Sequence, residues 1–262
     1  MSALRITAIR LLCSDVAAQA AFYECAFGCR ISGSGLTLGD QRIELAALAG
    51  ASPIVAPSNS TAFQHFAIVV SNIDAALARL GQCRGWTAIS RAGAERLPPA
   101  SGGVSAFKFR DPESHPLELL QFAEGAMPSV WRERRHEPFL GIDHSAITVA
   151  DTAREIGFYG ELGFAVASRQ VNRGVEQERL DDVAGAVVEV TGLVPPGGAP
   201  PHLELLCYRQ PGTSVSNTAV DGPATRLVLE DGDGREAGGV SEIALHDRDG
   251  HVLVFRTARP PA

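Results

Sequence analysis

Three stretches of this sequence keep the same phase, and that repetition constrains the fold more than any other feature. Asp15 lies seven residues after Ala8, Asn72 seven after His65 and Asp151 seven after His144; Phe22 and Phe158 each lie fourteen after Ala8 and His144. Each stretch opens with an alternating, strand-like apolar segment. A side chain able to accept the hydrogen bonds of a first helical turn follows, and then a helical run. Strand, cap and helix at fixed offsets indicate duplication of one unit.

Four units can be traced. The first runs through "RITAIRLL", the cap Asp15, the helix "VAAQAAFYECAF", Gly28 just past its end, and short strands separated by glycine turns in "RISGSGLTLGDQRIELAAL". This is a βαβββ plan. The second opens with "FQHFAIVVSNIDAALARL" and closes with "DPESHPLELLQF"; the third opens with "IDHSAITVADTAREIGFYGELGF" and closes with "HLELLCY". The fourth is abbreviated: "ATRLVLE" is a strand, "DGDGREAGG" replaces most of a helix, and "HDRDGHVLV" matches "RDPESHPLE" of the second. Ala49 to Ala62 reads as a linker. A second linker, 124–139, carries a charge run from Arg132 to Glu137, read as a solvated face, and Trp131 to pin it. The expected class is α+β. Units 1–48 and 63–123 form an N-terminal domain (1–123), and units 140–210 and 217–262 a C-terminal domain (140–262).

Alternation places His65, Ala67 and Val69 on one strand face and sets Glu118 between Leu117 and Leu119. A single histidine in such a strand would ordinarily be a hydrogen-bonded core residue. Here the pattern recurs as His144 and as Glu204 between Leu203 and Leu205, so His65, Glu118, His144 and Glu204 are candidate metal ligands. Imidazole with carboxylate suits Zn, Ni, Fe, Mn or Co, and the lack of a cysteine in the set disfavours a closed structural zinc site. Unit one offers Ala8 and Glu44, while unit four has no histidine near Arg226 and has Val254 where unit two has Glu118. "RQVNRGVEQERL" gathers polar side chains at Asn172, Arg173, Glu176 and Gln177. His115 and His251 sit in turns and are expected to be structural. Asp247, Asp249 and Asp231 to Gly234 are read as turns, since they lack the twelve-residue calcium loop with its closing glutamate.

With 23 Lys and Arg against 30 Asp and Glu, the net charge is -7, which argues against a polyanionic partner such as nucleic acid. No apolar run reaches the length of a membrane span or signal segment, so a cytoplasmic protein is expected. The five cysteines, Cys13, Cys25, Cys29, Cys83 and Cys207, are odd in number and lack CxxC spacing, and are expected to be reduced, mostly buried thiols.

The repeated βαβββ units, the "FY" on each odd-unit helix, the "DPESHPLELLQF" strand and the HxxIxV openings at His65 and His144 resemble the vicinal oxygen chelate superfamily. That superfamily includes glyoxalases, bleomycin resistance proteins and ring-cleaving dioxygenases. The resemblance implies paired units forming incompletely closed β-cups with helices outside. It also implies one divalent metal ion, held by residues of the first and last strands of both units in a cup. If units pair as one with two and three with four, the N-terminal cup offers Glu44, His65 and Glu118. If two pairs with three and one with four, a single cup holds His65, Glu118, His144 and Glu204, which is the favoured arrangement because all the losses then fall in the other cup. The resemblance implies a metal-dependent lyase or isomerase of glyoxalase type, with Glu118 or Glu204 as general base in enolate chemistry. Alternatives are a ring-cleaving dioxygenase using Fe(II), held by two histidines and one carboxylate, and a metal-free antibiotic-binding protein. The segment around Asn172, Glu176 and Gln177 would then be a flap contacting substrate. Expected partners are a small-molecule substrate, with neither nucleic acid nor membrane, and homodimerisation is left open.

Overall fold

The computed structural model describes residues 3–33, 35–48, 55–216, 224–231 and 240–258. Unit one is β1 (Leu4–Cys13), α1 (Val16–Phe27), β2 (Arg30–Ser32), β3 (Gly35–Leu38) and β4 (Gln41–Ala47). Unit two is β5 (Gln64–Val70), α2 (Ile73–Leu80), β6 (Thr87–Ala88), β7 (Glu95–Arg96), β8 (Ser105–Arg110) and β9 (Pro116–Gln121). After α3 (Ser129–Arg132), unit three is β10 (Phe139–Thr148), α4 (Thr152–Glu161), β11 (Ala165–Arg173), α5 (Val175–Asp181), β12 (Val187–Val194) and β13 (His202–Gln210). Unit four is β14 (Thr225–Asp231), β15 (Val240–His246) and β16 (Val252–Ala258). The stretch expected to replace its helix lies, at 232–239, outside the described residues, as do 49–54 of the first linker.

The phase-matched caps do what their chemistry allows. Asp15 accepts from the Ala18 amide at 2.9 Å, Asn72 from Ala75 at 2.8 Å and Asp151 from Arg154 at 3.0 Å. Gly28 ends α1 in the left-handed conformation at φ 69°.

Two open sheets carry the fold. One runs β15-β16-β14-β1-β4-β3-β2, and the other β11-β12-β13-β10-β5-β9-β8-β6, with β7 added on β8. Unit one therefore shares a sheet with unit four, and unit two with unit three; neither sheet stops at the 124–139 segment. Turns make the complementary connections. Asp111 in the turn of unit two accepts from Tyr23 on α1 at 3.0 Å, and Glu113 binds the Asp15 amide at 2.7 Å. Asp247 in the turn of unit four accepts from Tyr159 on α4 at 3.0 Å, and Asp249 binds the Ala150 amide at 2.8 Å. His115 and His251 lie 3.0 Å from the carbonyls of Leu12 and Thr148, closing the same turns as structural residues. Sheets thus join one to four and two to three, while turns and helices join one to two and three to four.

In the second linker, Trp131 is buried against Val69 and Leu140, and most of the charge run after it is exposed. The cysteine expectation needs correction: Cys25 and Cys83 form a disulfide across 58 residues, and Cys13, Cys29 and Cys207 are free and buried. The bond joins α1 to the end of α2, so its partners are set by helix packing between units, which sequence spacing does not report. No described helix is long and apolar enough to cross a membrane.

Candidate metal centre

Strand register puts the four sequence candidates on one concave surface. In β5 and β9 Ala67 stands opposite Glu118, and in β10 and β13 Ala146 stands opposite Glu204. Across the seam between the units, His144 faces Ala67 and Ala146 faces His65. Each histidine is therefore followed, two residues on and on the same face, by a fully buried alanine. A methyl group at those two positions leaves room that a longer side chain would fill.

His65, Glu118 and His144 each present a ligand atom within 4.8 Å of the other two. His65 is fully buried; its Nε2 lies 3.0 Å from Glu118 Oε2, and neither ring nitrogen makes a hydrogen bond of good geometry among the described residues. A buried imidazole with an idle nitrogen beside a carboxylate and a second imidazole fits a borderline divalent ion, so these three could hold one. Glu204 is set slightly apart. Its Oε2 is 3.6 Å from His144 Nε2, it is outside the triple, and its side chain is 21% exposed against 8% for Glu118.

The electrostatics divide the two histidines. Burial, with the Lys108 charge behind it, pushes His65 down to about 4. Burial also opposes the charged form of His144, yet Glu204 and Asp143 override it and raise this imidazole to about 9. Against the same burial, His144 and His202 hold Glu204 down to about 2, and His65 and Lys108 hold Glu118 below the usual carboxylate range.

Several residues that sequence reasoning missed complete the surroundings. Register shifts between Ile142 and His144, so Asp143 is an extra residue in β10; a shift at the matching place in β1, between Ile6 and Ala8, repeats the device in unit one. The bulge lets Asp143 and His144 line the same cavity. Asp143 Oδ2 sits 3.1 Å from His144 Nδ1 and its Oδ1 accepts from Trp131 Nε1 at 3.2 Å, so the linker tryptophan fixes the carboxylate that orients the histidine. Lys108, opposite Glu118 on β8, is buried 2.7 Å from Asp181 and 3.8 Å from Glu118. His202 is 3.6 Å from Glu204. Two of these carried a signal: a lysine between phenylalanines in "AFKF", and a histidine in phase with Glu204 in "HLELL". The bulge had none.

The cavity over these groups measures about 150 Å³, with Asn172 and Gln177 in its wall. The stretch expected to be a loop flap is instead the end of β11 and the helix α5, and Glu176, half-buried, is not among the lining residues.

The other cup differs at the matched positions. Glu44 stands opposite Arg10, which takes the register position of Ala67 and Ala146, and Val228 stands opposite Val254. Arg10 reaches Glu44 at 3.0 Å and Glu242 at 2.6 Å, and Arg256 reaches Glu44 at 2.7 Å and Glu242 at 2.8 Å. Burial opposes charge on Glu44, but the two guanidiniums hold it ionised. Where one cup has alanines and space, this one is filled with an ion network.

Two cups of repeated βαβββ units, one holding a histidine and carboxylate cluster, define the class of protein. Residues 5–119 match the Glyoxalase/Bleomycin resistance protein/Dioxygenase superfamily. The fold is similar to that of glyoxalase I from Zea mays, with 16% identity, a TM-score of 0.58, and 97% of this chain and 92% of that one covered. A single-residue variant of the same maize enzyme aligns at 17% identity and a TM-score of 0.59, covering 97% and 94%. A provisionally named dioxygenase from Bacillus subtilis subsp. subtilis str. 168 aligns at 13% identity and a TM-score of 0.57, covering 99% and 86%. No curated protein shows a significant sequence match.

Proposed function

We propose that the chain is a metal-dependent lyase or isomerase acting on a small oxygenated substrate, with His65, Glu118 and His144 holding the ion and Glu204 serving as general base. The observation that carries this reading is the separation of the two carboxylates. Glu118 is buried and held between His65 and Lys108, whereas Glu204 lies outside the triple, is partly exposed and has His144 and His202 as its ion-pair partners among the described residues. A divalent ion bound there would acidify the C–H beside a chelated carbonyl, which lets a weakly basic carboxylate take its proton. Glu204, kept ionised by His144 and His202, stands at the cavity to accept that proton and return it on the neighbouring carbon. Asp143 holds the His144 ring, Lys108 keeps Glu118 ionised, and the apolar wall excludes water. Asn172 and Gln177 contact the rest of the substrate.

The test needs no knowledge of the natural substrate. Exchange of the C–H of a hydroxyketone into D₂O, followed by NMR on metal-loaded protein, should fall about 10²-fold or more in Glu204→Gln with metal content unchanged. Glu118→Gln should instead lose metal. Unchanged exchange in Glu204→Gln removes it as the base.

The composition of the triple favours one second reading. Two histidines and one carboxylate are the set that open Fe(II) sites use in oxygen chemistry, so a ring-cleaving dioxygenase is the alternative. Catechol-dependent oxygen uptake by Fe(II)-loaded protein, surviving in Glu204→Gln, would select it.

A further inference from the structure

We propose that the cup selects a compact, uncharged hydroxy-carbonyl compound, and that Asn172 and Gln177 recognise its hydroxyl groups by accepting their hydrogen bonds. This rests on the reading above for the end of the substrate that meets the metal and concerns the other end.

Gln177 provides the orientation. Its side-chain nitrogen donates to Asp181 Oδ2 at 2.6 Å, and the same carboxylate receives Tyr208 at 2.8 Å and Lys108 at 2.7 Å. An ionised carboxylate only accepts, so the amide cannot be turned round, and Gln177 Oε1 must face away from Asp181. That oxygen is buried and receives no hydrogen bond among the described residues; Asn172 Oδ1 is in the same state. Both side chains are more than nine-tenths buried and both line the cavity. A buried polar group is rarely left unpaired, and two acceptors left open in one small cavity are explained by a ligand that donates to both.

Charge sets the second half of the selection. Among the described residues the one Lys or Arg lining the cavity is Lys108, already placed between Asp181 and Glu118, and His144 is taken up by Asp143 and Glu204. Glu118, Glu204 and Asp143 line the same space, and beyond the metal end a phosphate or carboxylate arm would meet two acceptors and no unpaired Lys or Arg among the described lining residues. The cavity, about 150 Å³, is smaller than the roughly 300–1,000 Å³ of pockets that take drug-sized ligands, which suits a small one. What fits is a short carbon chain with a carbonyl-bearing end for the metal and neutral hydroxyls beyond it.

Direct binding tests this without turnover. Calorimetry on the metal-loaded protein would compare erythrulose and dihydroxyacetone with dihydroxyacetone phosphate, and with diacetyl, which offers vicinal oxygens and no hydroxyl. The neutral hydroxyketones should bind at least tenfold tighter than the phosphate ester. Asn172→Leu and Gln177→Leu should each weaken erythrulose about tenfold while leaving diacetyl unchanged, and Asn172→Asp, which keeps an acceptor of the same shape, should retain erythrulose binding that Asn172→Leu loses. That last comparison separates recognition from packing. Tighter binding of the phosphate ester, equal erythrulose affinity in the leucine variants, or no erythrulose binding at all would overturn the proposal. Failure of the enzyme reading shows elsewhere, as loss of metal retention and of diacetyl binding while the preference for hydroxyls persists.

Discussion

At the scale of single residues, the same carboxylate chemistry serves opposite ends depending on what surrounds it. Glu204 is held ionised by imidazoles, whereas Glu155, in the first turn of α4, is raised although Arg154 lies 3.3 Å away. Its side chain is buried, burial and the neighbouring Asp247 raise it to about 7, and the Arg248 amide only partly compensates. Because the folded value lies above the unfolded one, the native state keeps a proton that the unfolded chain gives up between about pH 4.5 and 7. Stability therefore falls as pH rises through that window, and the loss is complete above it. Glu155→Gln, which cannot ionise and keeps an oxygen for Arg248, should match the wild type near pH 4.5 and exceed it by about 1–3 kcal/mol above pH 7. Melting curves at the two pH values check this; a difference that does not change with pH would show that Glu155 titrates normally.

At the scale of elements, the turns before β9 and β16 are the same device used twice with different insurance. In each, an aspartate accepts backbone amides of its own turn and the hydroxyl of a tyrosine on a helix of the preceding unit. Asp111 also receives Gln19 from α1 and has His115 Nδ1 at 3.0 Å, whereas Asp247 Oδ2 has Tyr159 as its side-chain donor among the described residues. Tyr159→Phe should thus cost about 1–3 kcal/mol, the penalty of leaving a buried acceptor open, and Tyr23→Phe distinctly less. Chemical denaturation of both variants measures the order, and equal losses would mean that Gln19 and His115 contribute nothing to holding Asp111. The α4 cap belongs to the same joint: Asp151→Ala should lower the melting temperature by removing the acceptor for the Arg154 amide.

At the scale of the whole molecule, two sets of contacts close four units into a ring, and the disulfide ties a joint between two of them. Closing a loop of 58 residues restricts the unfolded chain by up to about 4 kcal/mol. Thiol titration of unfolded protein should find three free cysteines without reductant and five with it, and reduction should lower the melting temperature. The division of labour between cups gives a second expectation. Glu44→Ala disturbs the Arg10 and Arg256 network but lies in the other sheet, so metal affinity under a competing chelator should be unchanged, whereas His65→Ala and His144→Ala should both weaken it. Loss of affinity in Glu44→Ala would move the centre to the N-terminal half.

Period, caps and spacing are local, so they were legible without coordinates: the βαβββ units, the Asp15, Asn72 and Asp151 caps, and the phases of His65, Glu118, His144 and Glu204 follow from alternation and from side chains that bind their own backbone. The pairing of units was not, because a strand edge carries no label for its partner, and both neighbour and crosswise pairings satisfy the same pattern. Strand order decided that His65 and His144 share a surface. The Asp143 bulge, the Trp131 contact behind it, the Lys108 to Asp181 link and the Cys25 to Cys83 bond are likewise meetings of distant segments. Their energy depends on which surfaces are removed from water together, and only the tertiary structure sets that.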